Sequence, residues 1–182
     1  MKFLLLVIVV FLPFTIFAQS PDITSFTPTS AASGATITIT GTDFSGATDV
    51  TFGGTAAASF IVDSPTQITA LVATGTSGDV FVSTPWGTDL LAGFTFIPAP
   101  IISSFSPTST ASGATVIITG TDFTNATSVS FGGTAATSFT VNSSTQISAV
   151  VASGASGNVS VTTPGGTDLL AGFTFIPAPI IS

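Results

Sequence analysis

The 182-residue sequence contains no cysteine, histidine, arginine, tyrosine or glutamate, and its one lysine, Lys2, stands at the extreme amino terminus. Each absence removes a class of chemistry. Without cysteine there is no disulfide framework, no thiolate nucleophile and no zinc–thiolate centre. Without histidine, and with no lysine beyond position 2, the many Ser and Thr hydroxyls have no base to activate them as nucleophiles. A chain almost free of cations cannot displace counterions from phosphates, which excludes duplex nucleic acid and anionic membrane surfaces as electrostatic partners. The formal charge of −7 comes from eight carboxylates, all of them Asp. What remains is Thr, Ser, Val, Ile and Phe punctuated by Gly and Pro, the composition of an all-β protein with many turns.

One long apolar run is present, at the start. Met1 and Lys2 lead into residues 3–17, broken at Pro13 and closed by Ala18-Gln19-Ser20. A positive end, an apolar middle about 15 residues long and a small residue before the cut are the parts of a secretory signal peptide. Residues 1–18 are therefore expected to be removed after Ala18. A membrane anchor is the competing reading, but a spanning helix needs about 20 apolar residues. The mature chain is expected to be secreted or held at the cell surface, without inserting into the membrane.

Shifted by 79 residues, the chain matches itself without a gap: Ile23 falls on Ile102, Gly41 on Gly120, Phe52 on Phe131 and Phe94 on Phe173. About three positions in four agree, so the two copies share one fold and arose by duplication. Both close on Gly-Phe-Thr-Phe-Ile-Pro-Ala-Pro, at 93–100 and 172–179, and Ile180-Ile181-Ser182 repeats the opening Ile101-Ile102-Ser103. The expected units are a signal at 1–18, modules at 22–99 and 101–178, and the start of a truncated third repeat at 180–182. Units of about 80 residues bury a modest fraction of their surface and must fill their cores efficiently.

Within a copy the strand signals are short and regular. Thr36 to Thr40 alternates Thr with Ile, placing Ile37 and Ile39 on one face and hydroxyls on the other. Val50 and Phe52, Phe60 and Val62, Ile68 to Val72, Val80 and Val82, and Phe94 and Phe96 mark further strands. Turn residues separate them at Ser33-Gly34, Ser45-Gly46, Gly53-Gly54, Asp63-Ser64-Pro65, Gly75 to Gly78 and Pro85-Trp86-Gly87. Six or seven strands in about 80 residues, each with one apolar face, imply two sheets packed face to face. Ile37 becomes Val116 and Leu71 becomes Val150 between copies, swaps a core tolerates. Asp63 and Asp79 become Asn142 and Asn158, which are interchangeable in turns. Strands this rich in Val, Ile and Thr, with no lysine gatekeeper, can pair at exposed edges, and Thr115 to Thr119 is expected to carry most of that risk.

The strings Ser-Phe-Thr-Pro-Thr-Ser, Gly-Ala-Thr-Ile-Thr-Ile-Thr-Gly-Thr-Asp-Phe, Val-Thr-Phe-Gly-Gly-Thr-Ala-Ala, Ser-Pro-Thr-Gln-Ile and the closing Phe-Thr-Phe resemble the IPT/TIG family. The likeness runs from about Ile23 to Ile97 and again from Ile102 to Ile176. That family is an immunoglobulin-like domain of bacterial surface proteins, some carbohydrate-active enzymes, plexin-type receptors and certain transcription factors. The resemblance implies an all-β fold of two tandem immunoglobulin-like β-sandwiches. It implies function loosely, since one sandwich serves as spacer, adhesin or recognition module. The DNA-binding branch uses basic loops, which this chain lacks.

Few residues are candidates for chemistry. Asp43 and Asp122, in the matched Gly-Thr-Asp-Phe, and Asp89 and Asp168, in the matched Gly-Thr-Asp-Leu-Leu, are the carboxylates common to both copies. Calcium takes six to eight oxygens, of which two carboxylates supply a minority. A pair of hydrolytic carboxyls needs a cleft and one raised pKa. The expectation is instead that each Asp caps a turn through its own backbone, so no catalytic, metal or cofactor residue is assigned. Trp86, the only tryptophan, stands where copy two has Gly165, in a loop between the last two strands. Exposed, it could stack on a sugar or anchor a protein; the alternative is a ring folded against the module end or the neighbouring module. Asn125-Ala126-Thr127, Asn142-Ser143-Ser144 and Asn158-Val159-Ser160 fit the glycosylation sequon but read as turns.

The linker Phe96-Ile97-Pro98-Ala99-Pro100-Ile101 has two prolines and no flexible Gly/Ser tract, which predicts a rod with restricted bending. The sequence therefore points to a non-enzymatic exported array acting as spacer or adhesin. A carbohydrate-binding accessory module is the second reading, and a hydrolase using Asp carboxylates the remote third. Its partner is a protein, a glycan or further repeats of the same array.

Overall fold

The computed structural model describes residues 19–179. The signal-peptide reading of 1–18 and the third-repeat reading of 180–182 fall outside the described residues. Eighteen strands and no helix make up the described chain. The first copy holds β1 (Asp22–Thr27), β2 (Ser30–Ala31), β3 (Thr36–Thr42), β4 (Asp49–Phe52), β5 (Thr55–Ala56), β6 (Ser59–Ser64), β7 (Gln67–Leu71), β8 (Gly78–Thr84) and β9 (Gly87–Phe96). The second holds β10 (Ile101–Ser106), β11 (Ser109–Thr110), β12 (Thr115–Thr121), β13 (Ser128–Phe131), β14 (Thr134–Ala135), β15 (Ser138–Ser143), β16 (Gln146–Val150), β17 (Gly157–Thr163) and β18 (Gly166–Phe175).

Each copy is a two-sheet sandwich. Module one pairs a four-stranded sheet, β1-β3-β7-β6, with a five-stranded one, β2-β9-β8-β4-β5, and module two repeats this as β10-β12-β16-β15 and β11-β18-β17-β13-β14. All pairings are antiparallel except β2 with β9 and β11 with β18. These are the two tandem immunoglobulin-like sandwiches that the repeat and its alternation imply.

The alternation explains the packing. Along β3 every second side chain turns inward, and Ile37 and Ile39 are fully buried. They meet Ile68 and Ala70 of β7 in register and face Val80 and Val82 of β8 from the other sheet. Burying one such aliphatic side chain contributes about 1.5–3 kcal/mol. Module two repeats the layer with Val116, Ile118, Ile147, Ala149, Val159 and Val161, and the two cores are separate clusters. Phe52 and Phe94 bring their rings to 5.0 Å, and Phe131 and Phe173 to 4.9 Å.

Two expectations change. Thr115 to Thr119 is not at an edge: β12 lies between β10 and β16, with Val116 and Ile118 fully buried. The exposed edge of the same kind of sheet is β6, where Ile61 is 66% exposed. Asp63, Asp79, Asn142 and Asn158 lie in strands rather than turns. Asp63 accepts a hydrogen bond from Thr69 Oγ1 at 2.6 Å across the β6–β7 hairpin, and Asn142 donates to Ser148 Oγ at 2.6 Å across β15–β16. Asp and Asn exchange there because either reaches a hydroxyl on the neighbouring strand, the carboxylate as acceptor and the amide as donor.

Candidate functional site

The repeated carboxylates divide into two kinds. Asp43 and Asp122 take the left-handed backbone conformation, φ 59° in both. This is a turn position, and Asp is one of the residues that tolerates it. Each turn drives the next residue, Phe44 or Phe123, into the core with no exposed surface. The Phe44 N–H donates to the Pro65 carbonyl and the Phe123 N–H to the Ser144 carbonyl, both at 3.0 Å, so the loop between β3 and β4 is tied to the β6–β7 hairpin.

Asp89 and Asp168 are not caps of their own turns, contrary to expectation. The Asp89 carboxylate accepts a hydrogen bond from the Ile23 N–H at 2.7 Å, and Asp168 does the same for Ile102 N–H at 2.7 Å. Donor and acceptor are 66 residues apart and belong to different sheets, β1 with β9 and β10 with β18. The β1–β3 ladder slips between Ile23 and Ser25, and the carboxylate satisfies the N–H at the slip. Among the described residues no three Asp, Glu, His or Cys side chains gather around one point.

The copies differ at the module ends where the β3–β4 loop meets the β8–β9 turn. In module one, the Trp86 N–H donates to Thr84 Oγ1 at 3.3 Å, and the Thr84 hydroxyl donates to the Gly87 carbonyl at 3.4 Å. Thr84 is buried, so these bonds fix the turn. The Trp86 ring is 50% exposed and lies over Gly46, within 3.6 Å of where a Cβ would stand. The ring thus leans on the module end while half of the residue's surface is exposed. At the equivalent end of module two, Asn125 and Gly165 replace Gly46 and Trp86. A groove of about 280 Å³ runs there between the linker (Ile97, Pro98) and the loop and turn of module two (Asp122, Asn125, Pro164). Asn125 takes φ 60°, as its reading as a turn residue requires.

A second depression, about 380 Å³ and shallow, lies on the outer face of the five-stranded sheet of module one, between Thr51, Asp79, Phe81 and Leu90. Thr51, Phe81 and Leu90 are direct cross-strand neighbours. Module two has Ser160 in place of Phe81. Sequence reasoning passes over Phe81 because its neighbours Val80 and Val82 define the buried face and an aromatic between them reads as one more core residue.

Comparison with known proteins gives a family and a fold. The IPT/TIG domain model matches residues 21–88 and 100–175. No curated protein matches the chain. Among solved structures it is similar to SGBP-B from a xyloglucan utilization locus of Bacteroides uniformis, at 20% identity over 85% of this chain and 49% of that one, TM-score 0.43. It is also similar to the surface glycan-binding protein PbSGBP-B of Prevotella bryantii, at 18% identity over 82% of this chain and 41% of that one, TM-score 0.38. The extracellular region of plexin A4 matches at 17% identity over 88% of this chain and 16% of that one, TM-score 0.41. The chain spans less than half the length of each of these proteins. No helix among the described residues is long and apolar enough to cross a membrane.

Proposed function

Because this chain belongs to the IPT/TIG domain family, with two copies of the module in tandem, we propose that it is a non-enzymatic exported protein whose sandwiches act as a surface spacer or adhesin. The single observation that carries the reading is the linker. Residues 97–100 run from β9 to β10 with two prolines and no Gly/Ser tract, and Pro98 packs directly on the turn of module two. A connection of this kind transmits orientation from one module to the next, which a spacer needs. In this reading the signal at 1–18 directs export, the modules are 22–99 and 101–178, and 180–182 opens a further repeat. Residue inventory supports a role without catalysis: the described chain has no His, Cys or Lys to act as base, and Asp89 and Asp168 are committed to backbone N–H groups.

A carbohydrate-binding accessory module is the second reading, favoured by one observation, the half-exposed Trp86 at the β8–β9 turn of module one. Such a ring stacks on the apolar face of a sugar. A glycan array decides between the two. The spacer reading expects no reproducible signal from the wild-type chain. A signal that disappears in Trp86→Ala overturns it in favour of sugar recognition.

A further inference from the structure

The two copies differ at this module end by a reciprocal exchange: Gly46 and Trp86 in module one, Asn125 and Gly165 in module two. The turn backbone is held alike in both, with Trp86 N–H or Gly165 N–H donating to the buried hydroxyl of Thr84 or Thr163, at 3.3 and 3.2 Å. The φ of Gly165 is not in the left-handed region, so the backbone there is open to any residue. Space is the reason for the glycine. A Cβ on Gly165 would overlap the Pro98 carbonyl oxygen and stand 2.5 Å from its carbon and 3.0 Å from Ala99 N. Close-packed atoms cannot share that volume. At the next residue a Cβ on Gly166 would be 3.3 Å from Ala99 Cβ. The linker thus lies on the bare backbone of the turn.

In module one the segment before β1 approaches the same place. A Cβ on Gly87 would meet Ser20 Cβ at 2.7 Å, and Ser20 is the counterpart of Ala99. One residue earlier the likeness must end, because Trp86 carries its side chain where module two receives the Pro98 carbonyl. Gln19 stands where module two has Pro98, and the indole lies over Gly46.

We propose that Gly165 forms a seat for the Pro98–Ala99 segment that fixes the angle between the modules, and that Trp86 closes the equivalent seat on module one. The occupant is the chain's own Ile-Pro-Ala-Pro segment, a connection between β9 and β10 whose prolines pre-set the backbone so that little conformational entropy is lost on docking. The proposal deepens the spacer reading on which it rests, by naming what holds the angle. It also gives the array a direction, since a module bearing Trp at this turn cannot take a preceding module by the same route.

The chain has no cysteine, so Ser59→Cys and Ser138→Cys, at equivalent exposed positions, accept one spin label on each module. Pulsed dipolar spectroscopy of the doubly labelled chain is expected to give one narrow distance population. Gly165→Ala adds only the forbidden Cβ and is expected to lose that population to a broad distribution, with the thermal unfolding midpoint unchanged. If alanine lowers the midpoint, Gly165→Trp serves in its place, since module one folds with tryptophan on the same turn. Trp86→Gly is expected to leave the distribution narrow. A narrow wild-type distribution that stays narrow in both Gly165 variants overturns the seat and leaves the spacer reading standing. A broad wild-type distribution contradicts the rigid spacer and the seat together.

Discussion

Gly120 is held between two hard surfaces: a Cβ there would overlap the Ile101 carbonyl oxygen and meet the buried Phe123 ring at 2.6 Å. Its φ is ordinary, so the cost of a side chain is steric and not conformational. Gly120→Ala is expected to destabilise module two by about 2–3 kcal/mol through overpacking, read as a lower denaturation midpoint in urea. An unchanged midpoint would mean that β10 and β12 are less tightly apposed than described. Asp89 offers a second test at this scale. Asp89→Ala leaves the Ile23 N–H without its charged acceptor and is expected to cost about 1.5–3 kcal/mol, with Asp89→Asn costing less because an amide oxygen still accepts. Equal effects of Ala and Asn would argue against the bond. Neither role is legible in the sequence. The partner of Asp89 lies 66 residues away, so local pattern suggests only a turn. The swap of Trp86 for Gly165 is visible in the repeat, but the path of the linker across Gly165 is not, because it exists only once the turn and the linker have folded together.

Strands are legible where alternation is clean and hidden where it is not. β3 and β8 alternate without interruption and announce themselves in Thr36 to Thr40 and in Val80 and Val82. β1 escapes a period-two reading because its register slips between Ile23 and Ser25, so its inward residues Ile23 and Phe26 are three apart, not two. β9 shows in the sequence only near Phe94 and Phe96, yet begins at Gly87, since Leu90 is exposed where a period-two reading of an apolar pair gives no direction. β2 and β5 are two residues long and leave no periodic trace. Composition alone assigns the edge hazard to Thr115–Thr119; position in the sheet moves it to β6. Ile61→Thr, which installs the residue of copy two at the matched position Thr140, is expected to raise the concentration at which the chain aggregates while changing stability by less than about 0.5 kcal/mol. Static light scattering against concentration measures the first and urea unfolding the second. No gain in solubility would place the sticky edge elsewhere.

At the scale of the whole molecule, the two cores share no buried residue, and the mechanical link between them is the proline segment resting on module two. Six or seven strands are expected in each copy and nine are found; the repeat and the two linker prolines are readable from the residues alone, because duplication and proline chemistry are written in single positions. What the linker rests on is not. In the proposed spacer, function at this scale would be a matter of shape, and among the described residues no three Asp side chains gather around one point. Small-angle scattering on the mature chain, residues 19–182, with calcium and then with chelator, tests this most directly. The account predicts an elongated two-lobed particle whose scattering is the same in both conditions. A compact particle, or one that loosens when calcium is withdrawn, would contradict it.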